Sequence, residues 1–349
     1  MRVIHCPENI AGQAWAYARA AEGYGIAADV VTYERHPFGF KDDRCLHLSA
    51  EPSRLARELK RLRLFLEVVR GYDLVHFHFA LTLLPKYIDL GILRALRKPM
   101  VMSFWGSDVR LGGEAARRNP YFHLIRGYER NDALTIMKMR KIARHIGVAM
   151  VPDHELYGYV AGYFKKTHVL PNCVPCRELE PVYPNPREGR PLVVHCPSNR
   201  DIKGTRYILE AVSSLKDKRR FEFMLCEGKS NREVREIIAQ ADIVIDQLLL
   251  GAYGVVATEA MALGKPVICY LRQDILEQYP IPPPIVNANP DNIVDVLRDL
   301  LEHTERLDEL GRRGRAFVED YHDTGAVGKK LVDIYAEALR DKGGLSLIG

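Results

Sequence analysis

ADIVIDQLLLGAYGVVATEAMALGKP, residues 241–266, is the stretch of sequence that decides the fold. The β-branched run at 243–245 is typical of a strand that is buried on both faces in a parallel sheet. Gly251 and Gly254 follow it at a tight turn, where a backbone without Cβ atoms can approach a ligand closely. A helix is then predicted over about 255–263, with a glycine stop and a further buried strand behind it.

This order of strand, glycine turn and helix places a helix N-terminus at the carboxyl edge of a parallel sheet. Unpaired N–H groups and the positive end of the helix dipole bind anions there, and phosphate groups in particular. Glu259 lies just over one turn into the helix and carries a carboxylate toward the same edge. Because a carboxylate repels a phosphate, its expected partner is a pair of sugar hydroxyls. The stretch therefore predicts a site for a nucleotide or a sugar nucleotide.

The sequence EAMALGKPVI at 259–268 resembles the signature of the retaining GT-B glycosyltransferases of the GT4 type, also called group 1. The resemblance implies a GT-B fold, in which two Rossmann-like α/β domains face each other across a cleft. It implies a retaining glycosyltransferase that moves a sugar from a nucleoside-diphosphate sugar, a UDP- or GDP-sugar, to a hydroxyl acceptor. Synthesis of a glycan, a glycolipid or a cell-surface polysaccharide is the expected setting.

Composition agrees with such a protein. The 349 residues suit two domains, and 50 basic against 45 acidic side chains fall well short of a dedicated nucleic-acid binder. The chain has neither an apolar run of about 20 residues nor a signal-peptide pattern, and its seven cysteines are typical of reduced thiols. We therefore expect a cytoplasmic protein, at most at the inner face of the membrane. The CxxC at 173–176 is either a zinc or redox pair or a linker with incidental thiols.

The order of elements along the chain predicts the domain boundaries. MRVIHC at the N-terminus, a loop and a helix over about 13–24 form a Rossmann-like opening that lacks the GxGxxG fingerprint. Residues 174–190 are rich in proline and charge and are predicted to be a linker. We therefore expect an acceptor-side domain over 1–173 and a donor domain over 191–322. A last segment, 323–349, is expected to pack back on the first domain.

The segment SRLARELKRLRLFLEVVR at 53–70 predicts a strongly amphipathic helix. It is either a surface helix on the sheet or a basic, membrane-facing helix that brings the enzyme to a lipid-linked acceptor. The second interpretation predicts a weak peripheral membrane contact, and KMRKIARH at 138–145 adds a second basic patch. Four leucines line one face of the predicted helix, namely Leu55, Leu59, Leu62 and Leu66.

Two histidines lie near the carboxyl end of a predicted strand, YDLVHFHFA at 72–80. His76 and His78 share one face of that strand. Two residues do not make a structural zinc site, and the sequence shows no third ligand. Either one of them contacts a ligand or it is a core histidine with a backbone partner. In the resembling family a strand that ends in histidine borders the catalytic cleft, so we expect His78 to face the sugar.

The GSD sequence at 106–108 resembles the H-G-S-D segment of the family, whose histidine contacts the donor sugar. Trp105 stands at the position of that histidine. An indole does not shuttle a proton, but it stacks on a sugar face and donates one N–H bond. Asp108 is either a polar site residue or the cap of the following segment.

Gly12, in the first loop of the chain, has two interpretations. It either matches the small residue of the family that lets the donor diphosphate approach, or it only starts a helix.

The loop SNRDIKG at 198–204 combines a cation and a glycine before a predicted helix, which is a diphosphate-binding arrangement. The resemblance places Lys203 and Gly204 on the donor diphosphate. The arginine that the family carries about five residues earlier falls on Ser198 by spacing. Arg200 stands two residues later and is its candidate substitute.

The family also carries two glutamates, of which the first touches the donor sugar and the second the ribose. Glu259 matches the second, whereas Gly251 stands at the position of the first. Sugar hydroxyls would then be held by backbone N–H groups of the loop at 251–254, by Gln247 or by water. The remaining predicted donor contacts are Glu227, which is placed near the nucleotide base, Tyr253 and Gly254.

The expected catalytic residues are His78, Asp108 and Lys203. The growing charge of the diphosphate leaving group would be stabilised by Lys203, Arg200, helix N-termini and the backbone at Gly12. The chain contains no D-x-D sequence, so we expect no metal ion and no other cofactor.

Two alternative functions stay open. The departures at Gly251 and Trp105 favour a non-catalytic, GT-B-shaped nucleotide-binding partner of another transferase. A sugar-nucleotide epimerase of the same fold is the other alternative. Neither the sugar, the base, the acceptor nor the oligomeric state follows from the sequence.

Overall fold

A computed structural model describes residues 1–128, 131–186, 189–217 and 219–340. These residues form two compact α/β units. The first contains residues 1–111 and 131–173 with the C-terminal helix, and the second contains 112–128 and 174–323.

The first unit is built on a parallel sheet of seven strands in the order β3-β2-β1-β4-β5-β6-β7. Its strands are β1 (Arg2–Cys6), β2 (Ala27–Thr32), β3 (Arg44–Cys45), β4 (Leu74–His78), β5 (Met100–Ser103), β6 (Val148–Val151) and β7 (Lys166–Val169). The chain leaves β1 in one direction and β4 in the other, so the strand order reverses between them. Ligands of open α/β sheets bind at such a switch point.

The helices of the first half of the chain are α1 (Gln13–Glu22), α2 (Arg54–Gly71), α3 (Ile88–Ala95), α4 (Gly112–Arg118), α5 (Asp132–Ala143) and α6 (His154–Val160). All but α4 belong to the first unit.

The second unit is built on a parallel sheet of five strands in the order β12-β11-β10-β8-β9. Its strands are β8 (Leu192–His195), β9 (Glu222–Leu225), β10 (Ile243–Ile245), β11 (Val267–Cys269) and β12 (Val286–Asn287). The helices that follow are α7 (Arg200–Lys203), α8 (Thr205–Lys216), α9 (Asn231–Gln240), α10 (Val255–Ala262), α11 (Gln273–Leu276), α12 (Ile293–Glu302), α13 (Leu307–Tyr321) and α14 (Thr324–Arg340).

Separate hydrophobic clusters cover the two faces of the second sheet, one with α10 and α13 and the other with α8 and α12. This two-sided burial is the reason that β10 (IVI) and β11 (VIC) are apolar at every position rather than alternating. The prediction of two Rossmann-like α/β domains is confirmed in both units.

The last helix, α14, packs against α1 within the first unit. A Cβ atom added at Gly328 would lie 2.7 Å from the carbonyl oxygen of Ala20, so the two helices approach as closely as a glycine allows. The observed start of this helix at Thr324 lies next to the predicted boundary at 323.

Residues 112–128 lie in the second unit, contrary to the prediction that 1–173 form one domain. Side-chain bonds hold the segment there. The Asn119 amide donates to the carbonyl of Leu249 at 2.7 Å, and the Tyr121 hydroxyl donates to Asp291 at 2.6 Å. The chain then enters α5, which Asn131 caps by accepting a bond from the N–H three residues on.

The predicted linker is packed rather than free at its start. Val174, Cys176 and Leu179 are buried in a core cluster of the second unit. Arg315 from α13 donates to the carbonyls of Leu179 at 2.5 Å and Cys176 at 2.9 Å. All seven cysteines are free thiols, and both thiols of the CxxC are buried, which supports incidental cysteines rather than an accessible redox pair.

The amphipathic helix α2 does not bury its leucine stripe. Leu64, Phe65 and Val68 are its buried residues. The four predicted leucines are instead exposed, at fractions of 40–70%. α2 is thus a surface helix, and the face that it buries carries Leu64, Phe65 and Val68 rather than the leucine stripe. The membrane-facing interpretation stays a prediction. None of the described helices has the length and apolar character that crossing a membrane requires.

Candidate functional site

A buried ion pair lies at the carboxyl edge of the second sheet. The Lys203 ammonium donates to Asp246 Oδ1 at 2.7 Å, and the two side chains are only 11% and 1% exposed. Asp246 Oδ2 accepts the N–H of Gly254 at 2.9 Å, and Gly254 is the residue before α10. The lysine, the carboxylate and the start of α10 therefore meet at one point. Sequence reasoning found Lys203 and Gly254 but missed Asp246, although its place directly after the buried strand β10 was an available signal.

Two glycines at this point are closely packed where a side chain would begin. Gly204 precedes α8 with a φ of +74°, and a Cβ there would lie 3.0 Å from Leu249 Cγ. A Cβ on Gly254 would lie 3.3 Å from Lys203 Nζ. The first N–H groups of α8 and α10 have no carbonyl partner within their own helices, and such N–H groups bind phosphate.

His195, which ends β8, fixes the start of α8. Its Nδ1 lies 2.8 Å from the carbonyl oxygen of Ile245, so this nitrogen donates, and Nε2 then accepts from the Thr205 hydroxyl at 2.9 Å. Burial lowers the pKa of His195 to about 4, which keeps the ring neutral. Sequence reasoning missed this histidine, because no motif singles it out.

Glu259 is 2% exposed and is held by α9. Its Oε1 accepts from Arg235 Nε at 2.9 Å, from Arg235 Nη2 at 2.7 Å and from Asn231 Nδ2 at 3.1 Å. A capping box between Ser230 and Glu233 fixes the first turn of α9. The positions of Arg235 and Asn231 along the axis of this helix are fixed with it. The carboxylate predicted for the ribose is thus set in one orientation by partners that the sequence did not reveal.

Arg200 and Glu227, predicted separately for the diphosphate and the base, are paired with each other. Arg200 Nε donates to Glu227 Oε1 at 2.7 Å, and a second bond joins Nη2 to Oε2. Both side chains are exposed, at 56% and 36%. A role of Arg200 as the substitute diphosphate arginine stays a prediction, and a phosphate would have to compete with Glu227 for the guanidinium.

Gly251, at the position of the missing glutamate, has a φ of +82°. A Cβ there would lie 2.5 Å from Cγ of Arg272, whose side chain is 5% exposed. Arg272 also donates its backbone N–H to the Gly251 carbonyl at 3.0 Å and its Nε to Asp274 at 2.9 Å. The side chain of Arg272 therefore occupies the space that a residue-251 side chain would need. Nothing in the local sequence pairs the two residues.

Two other predicted donor contacts have internal partners. Tyr253 is buried, and its hydroxyl lies 2.9 Å from Nε2 of His322. The Gln247 amide donates to the carbonyl of Ala252 within the same loop. These two side chains stabilise the 251–254 loop, and the suggestion that they hold a sugar directly gains no support from their contacts.

In the first unit the strands β1 and β4 bring three buried histidines together. His5, His76 and His78 are all fully buried, and their ring nitrogens lie within 4.8 Å of one another. The sequence showed no third histidine, because His5 lies 71 residues before His76 and meets it only through the strand register.

His78 does not open toward a ligand, contrary to the expectation that it faces the sugar. Its Nδ1 lies 3.3 Å from the indole Nε1 of Trp105, and its Nε2 lies 3.1 Å from Nδ1 of His5. The half-buried residue of this group is Trp105, which also packs on Tyr17 with ring centroids 5.7 Å apart. Because its N–H is bonded to His78, the indole does not have that donor free for a sugar.

Asp108 closes the turn that begins at Trp105. Its Oδ1 accepts the N–H groups of Trp105 at 3.0 Å and Gly106 at 2.8 Å. Its Oδ2 is buried and has no hydrogen-bond partner among the described residues. Burial raises the pKa of this carboxyl to about 6. Asp108 thus holds Trp105 and Gly106, no bond shown makes it the cap of the following segment, and its site role stays a prediction.

Gly12 starts α1 with a φ of +75°, as the second of its two interpretations expected. A Cβ there would lie 3.0 Å from Cδ1 of Phe40. Asn9 accepts the N–H of Ala14 at 2.9 Å and completes this turn. A glycine is therefore required for packing at this position, and a contact with a diphosphate stays a prediction.

Two Rossmann-like units, with glycine-bounded helix starts at the carboxyl edge of the second sheet, define the class of GT-B proteins. Residues 222–317 match the family model described as Glycosyl transferases group 1. The chain is 22% identical over 285 residues to the MMP alpha-(1->4)-mannosyltransferase of Mycolicibacterium hassiacum. That match covers 72% of this chain but only 62% of the length of the relative.

Solved structures agree with this assignment of the fold. The sucrose-phosphate synthase of Thermosynechococcus elongatus is 15% identical with a TM-score of 0.66, over 97% of this chain and 99% of that one. Anabaena Alr3699/HepE, solved in complex with UDP and glucose, is 12% identical with a TM-score of 0.64, over 96% and 99%. The GT-B fold is confirmed, and residues 222–317 are similar to the group 1 glycosyltransferases, as the resemblance implied.

Proposed function

We propose that the chain is a retaining glycosyltransferase that uses a nucleoside-diphosphate sugar, a UDP- or GDP-sugar, and a hydroxyl acceptor without a bound metal ion. The observation that carries this proposal is the Lys203–Asp246 pair at the glycine-bounded starts of α8 and α10. Anabaena HepE, solved with UDP and glucose and also with UDP-glucose, supports a nucleotide-sugar donor.

In the proposed reaction the donor diphosphate leaves as the acceptor oxygen bonds to the anomeric carbon on the same face of the sugar. The acceptor O–H bond breaks, and its proton passes to the departing phosphate. Lys203 has three N–H donors, of which Asp246 engages one, so two remain for phosphate oxygens. These donors and the N–H groups of α8 and α10 would stabilise the charge that grows on the leaving group.

Glu259 is proposed to accept hydrogen bonds from the two ribose hydroxyls. Its carboxylate is acceptor-only, and Arg235 and Asn231 hold it without supplying a hydroxyl donor. A nucleoside diphosphate whose phosphates lie at α8 and α10 would reach this residue with its ribose, since Glu259 is on α10 itself.

The test is calorimetric binding of UDP-, GDP-, ADP- and TDP-sugars in the presence of EDTA. One donor is expected to bind saturably, and Glu259→Gln is expected to weaken it about tenfold or more, because a hydrogen bond to a charged group is lost. Glu302→Gln, an ion-paired surface carboxylate of the same unit, is the matched control and should bind as the wild type does.

Each alternative gives a different result. Unchanged affinity in Glu259→Gln would remove its ribose role, and a requirement for a divalent cation would remove metal independence. A donor that binds but is neither transferred nor hydrolysed favours the non-catalytic partner. A changed sugar nucleotide formed without any acceptor favours the epimerase.

The weak membrane contact predicted for 53–70 extends, in our proposal, to a docking surface on α2, α3 and α5. The connections β3–β4, β4–β5 and β5–β6 all step the same way through the sheet, so right-handed crossovers place these helices on one face. Residues 53–70, 85–98 and 131–144 carry 14 basic and 4 acidic side chains, against 50 and 45 in the whole chain. These three segments thus carry a net charge of +10, whereas the rest of the chain is net negative.

Exposed apolar side chains accompany these charges. Leu55, Ile88 and Met137, one from each helix, are 70%, 57% and 58% exposed. Apolar side chains flanked by lysine and arginine fit the interface of an anionic membrane, where a lipid-linked acceptor would be found.

Leu55→Glu/Leu59→Glu is expected to lower binding to vesicles of anionic phospholipid by tenfold or more, because each leucine withdrawn from an apolar phase loses about 1.5–3 kcal/mol. The measurement is co-sedimentation with phosphatidylglycerol-containing and pure phosphatidylcholine vesicles. Ile281→Glu, at a 61% exposed isoleucine of the second unit, should bind as the wild type does. Equal sedimentation of the double variant and the wild type would contradict the docking surface.

A further inference from the structure

Two cysteines, Cys196 and Cys226, stand side by side at the carboxyl edge of the second sheet. The strands β8 and β9 pair in parallel up to His195 and Leu225, and each cysteine is the next residue of its strand. The N–H of Cys226 donates to the carbonyl of His195 at 2.9 Å, so the pairing continues past the ends of both strands. Opposite residues of neighbouring strands point to the same face, and both cysteines belong to one core cluster.

This placement brings the two thiols within reach of a disulfide bond. Neighbouring strands lie about 4.7–4.9 Å apart, and the Cα atoms of a disulfide lie about 4.4–6.8 Å apart. The thiols of Cys196 and Cys226 are also close enough for each to affect the pKa of the other. The strand register therefore supplies a pair of cysteines that the sequence, which separates them by 30 residues, does not reveal.

The two thiols lie nearer to the surface than the other buried cysteines. Cys196 and Cys226 are 7% and 5% exposed, whereas the remaining four are at most 3% exposed. Burial raises the pKa of both thiols. At Cys226 the neighbouring thiol of Cys196 and the ammonium of Lys229 oppose this rise, so Cys226 is the more acidic of the two. Because the thiolate is the reactive form of cysteine, Cys226 is expected to react first.

We propose that Cys196 and Cys226 are a modification site, a dithiol that a hydroperoxide oxidises to a disulfide. With hydrogen peroxide, the Cys226 thiolate attacks one oxygen, the O–O bond breaks, and the hydroxide that leaves takes up a proton to give water. The Cys196 thiolate then attacks the sulfur of the Cys226 sulfenic acid, the S–O bond breaks, and a second water leaves. The two thiols lose two electrons in total, and one peroxide is reduced to two waters.

The loops that begin at these cysteines carry groups of the proposed donor site. Cys196 leads into the loop that contains Arg200, and Cys226 is followed directly by Glu227. Arg200 Nε donates to Glu227 Oε1 at 2.7 Å and joins the two loops, and α9, which begins behind Glu227, holds the carboxylate of Glu259.

Formation of the disulfide would therefore change this site. The Cβ atoms of a disulfide lie about 3.5–4.5 Å apart, which is closer than the spacing of neighbouring strands. The bond is thus expected to draw the ends of β8 and β9 together and to shift the loops that start there. Weaker binding of the donor is the expected result, and this part of the inference rests on the proposed function.

The first test is for the disulfide itself. The purified chain is treated with hydrogen peroxide, its remaining thiols are alkylated, and its peptides are identified by mass spectrometry. A bond between Cys196 and Cys226 is expected, and dithiothreitol should restore both thiols. Cys45→Ser removes the one cysteine that is not buried and should leave this bond unchanged. Two free thiols after peroxide, a sulfinic acid in place of the bond, or a bond to any other cysteine overturns the proposal.

The second test measures binding of UDP and GDP by calorimetry before and after peroxide. The oxidised chain is expected to bind its nucleotide about tenfold or more weakly, the effect of losing a hydrogen bond to a charged group. Cys226→Ser cannot form the bond, so its affinity should be the same before and after treatment. Equal affinities of the oxidised and the reduced wild type would overturn the link to the donor site. A reduced wild type that binds neither nucleotide counts against the proposed function, and mass spectrometry still decides whether the disulfide forms.

Discussion

Lys203→Met is expected to lower the rate of sugar transfer by about 10²-fold or more, as the loss of one charged contact to a leaving group does. The methionine keeps most of the buried volume but removes the donors that the ammonium offers to phosphate oxygens. Initial rates with the donor found by calorimetry would measure the effect at saturating donor and acceptor. The expected loss is in turnover more than in KM, because the charge that Lys203 meets grows as the bond to the diphosphate breaks.

A control is needed because Lys203 also has a structural partner. Its removal leaves the Asp246 carboxylate, 1% exposed, without its cation, and breaking such a buried pair costs about 3–5 kcal/mol of unfolding free energy. Lys203→Met/Asp246→Asn removes both charges, and the asparagine oxygen can still accept the N–H of Gly254. The double variant is expected to regain most of the stability and none of the activity. Near-wild-type turnover in the double variant would contradict the role of Lys203 in catalysis.

Gly251→Ala is expected to lower the unfolding free energy by about 2–4 kcal/mol. A φ of +82° costs a non-glycine residue about 1–2 kcal/mol, and the added Cβ would overlap Arg272 Cγ at 2.5 Å. Because Arg272 is buried and ion-paired, its side chain can move aside only by breaking those contacts. Urea denaturation of the purified protein measures the effect.

Gly228→Ala isolates the backbone part of this effect. Gly228 lies in the same unit with a φ of +65°, and an added Cβ there would meet nothing within 4 Å. It is expected to lose about 1–2 kcal/mol. Equal losses of unfolding free energy in Gly251→Ala and Gly228→Ala would show that the contact with Arg272 does not contribute to the destabilisation. Gly251→Glu, which restores the carboxylate of the resembling family, is expected to destabilise the protein in the same way without raising affinity for a sugar.

Much of the fold was predictable from the sequence because its signals are local. The β-branched run at 243–245, the glycines after it and the helical spacing of 255–263 lie within one stretch. Lys203 and Gly204 were found for the same reason, since a cation and a glycine before a helix are adjacent in the chain. Each of these features depends on the conformation of a few neighbouring residues, which backbone sterics and burial decide.

The orientation of α2 was not predictable from its periodicity. The helix has one apolar stripe of leucines and a second apolar group around Phe65, and only the second is buried. Helical spacing shows which side chains share a face but not which face meets the sheet. Which face of α2 is buried depends on the surface of the sheet, and that surface is formed by strands from elsewhere in the chain.

The site itself was decided by the tertiary structure. Lys203 was predicted by sequence, but its partner Asp246 lies 43 residues away and comes beside it only because β8 and β10 are neighbours. His5 joins the other histidines in the same way, through the register of β1 with β4. The sequence alone therefore determined which elements form and which residues start them. The pairing of strands that are far apart in the chain decided that Asp246 neutralises Lys203 and that the histidine nitrogens bond to one another. No single stretch of sequence predicts this pairing, because it depends on the packing of the whole core.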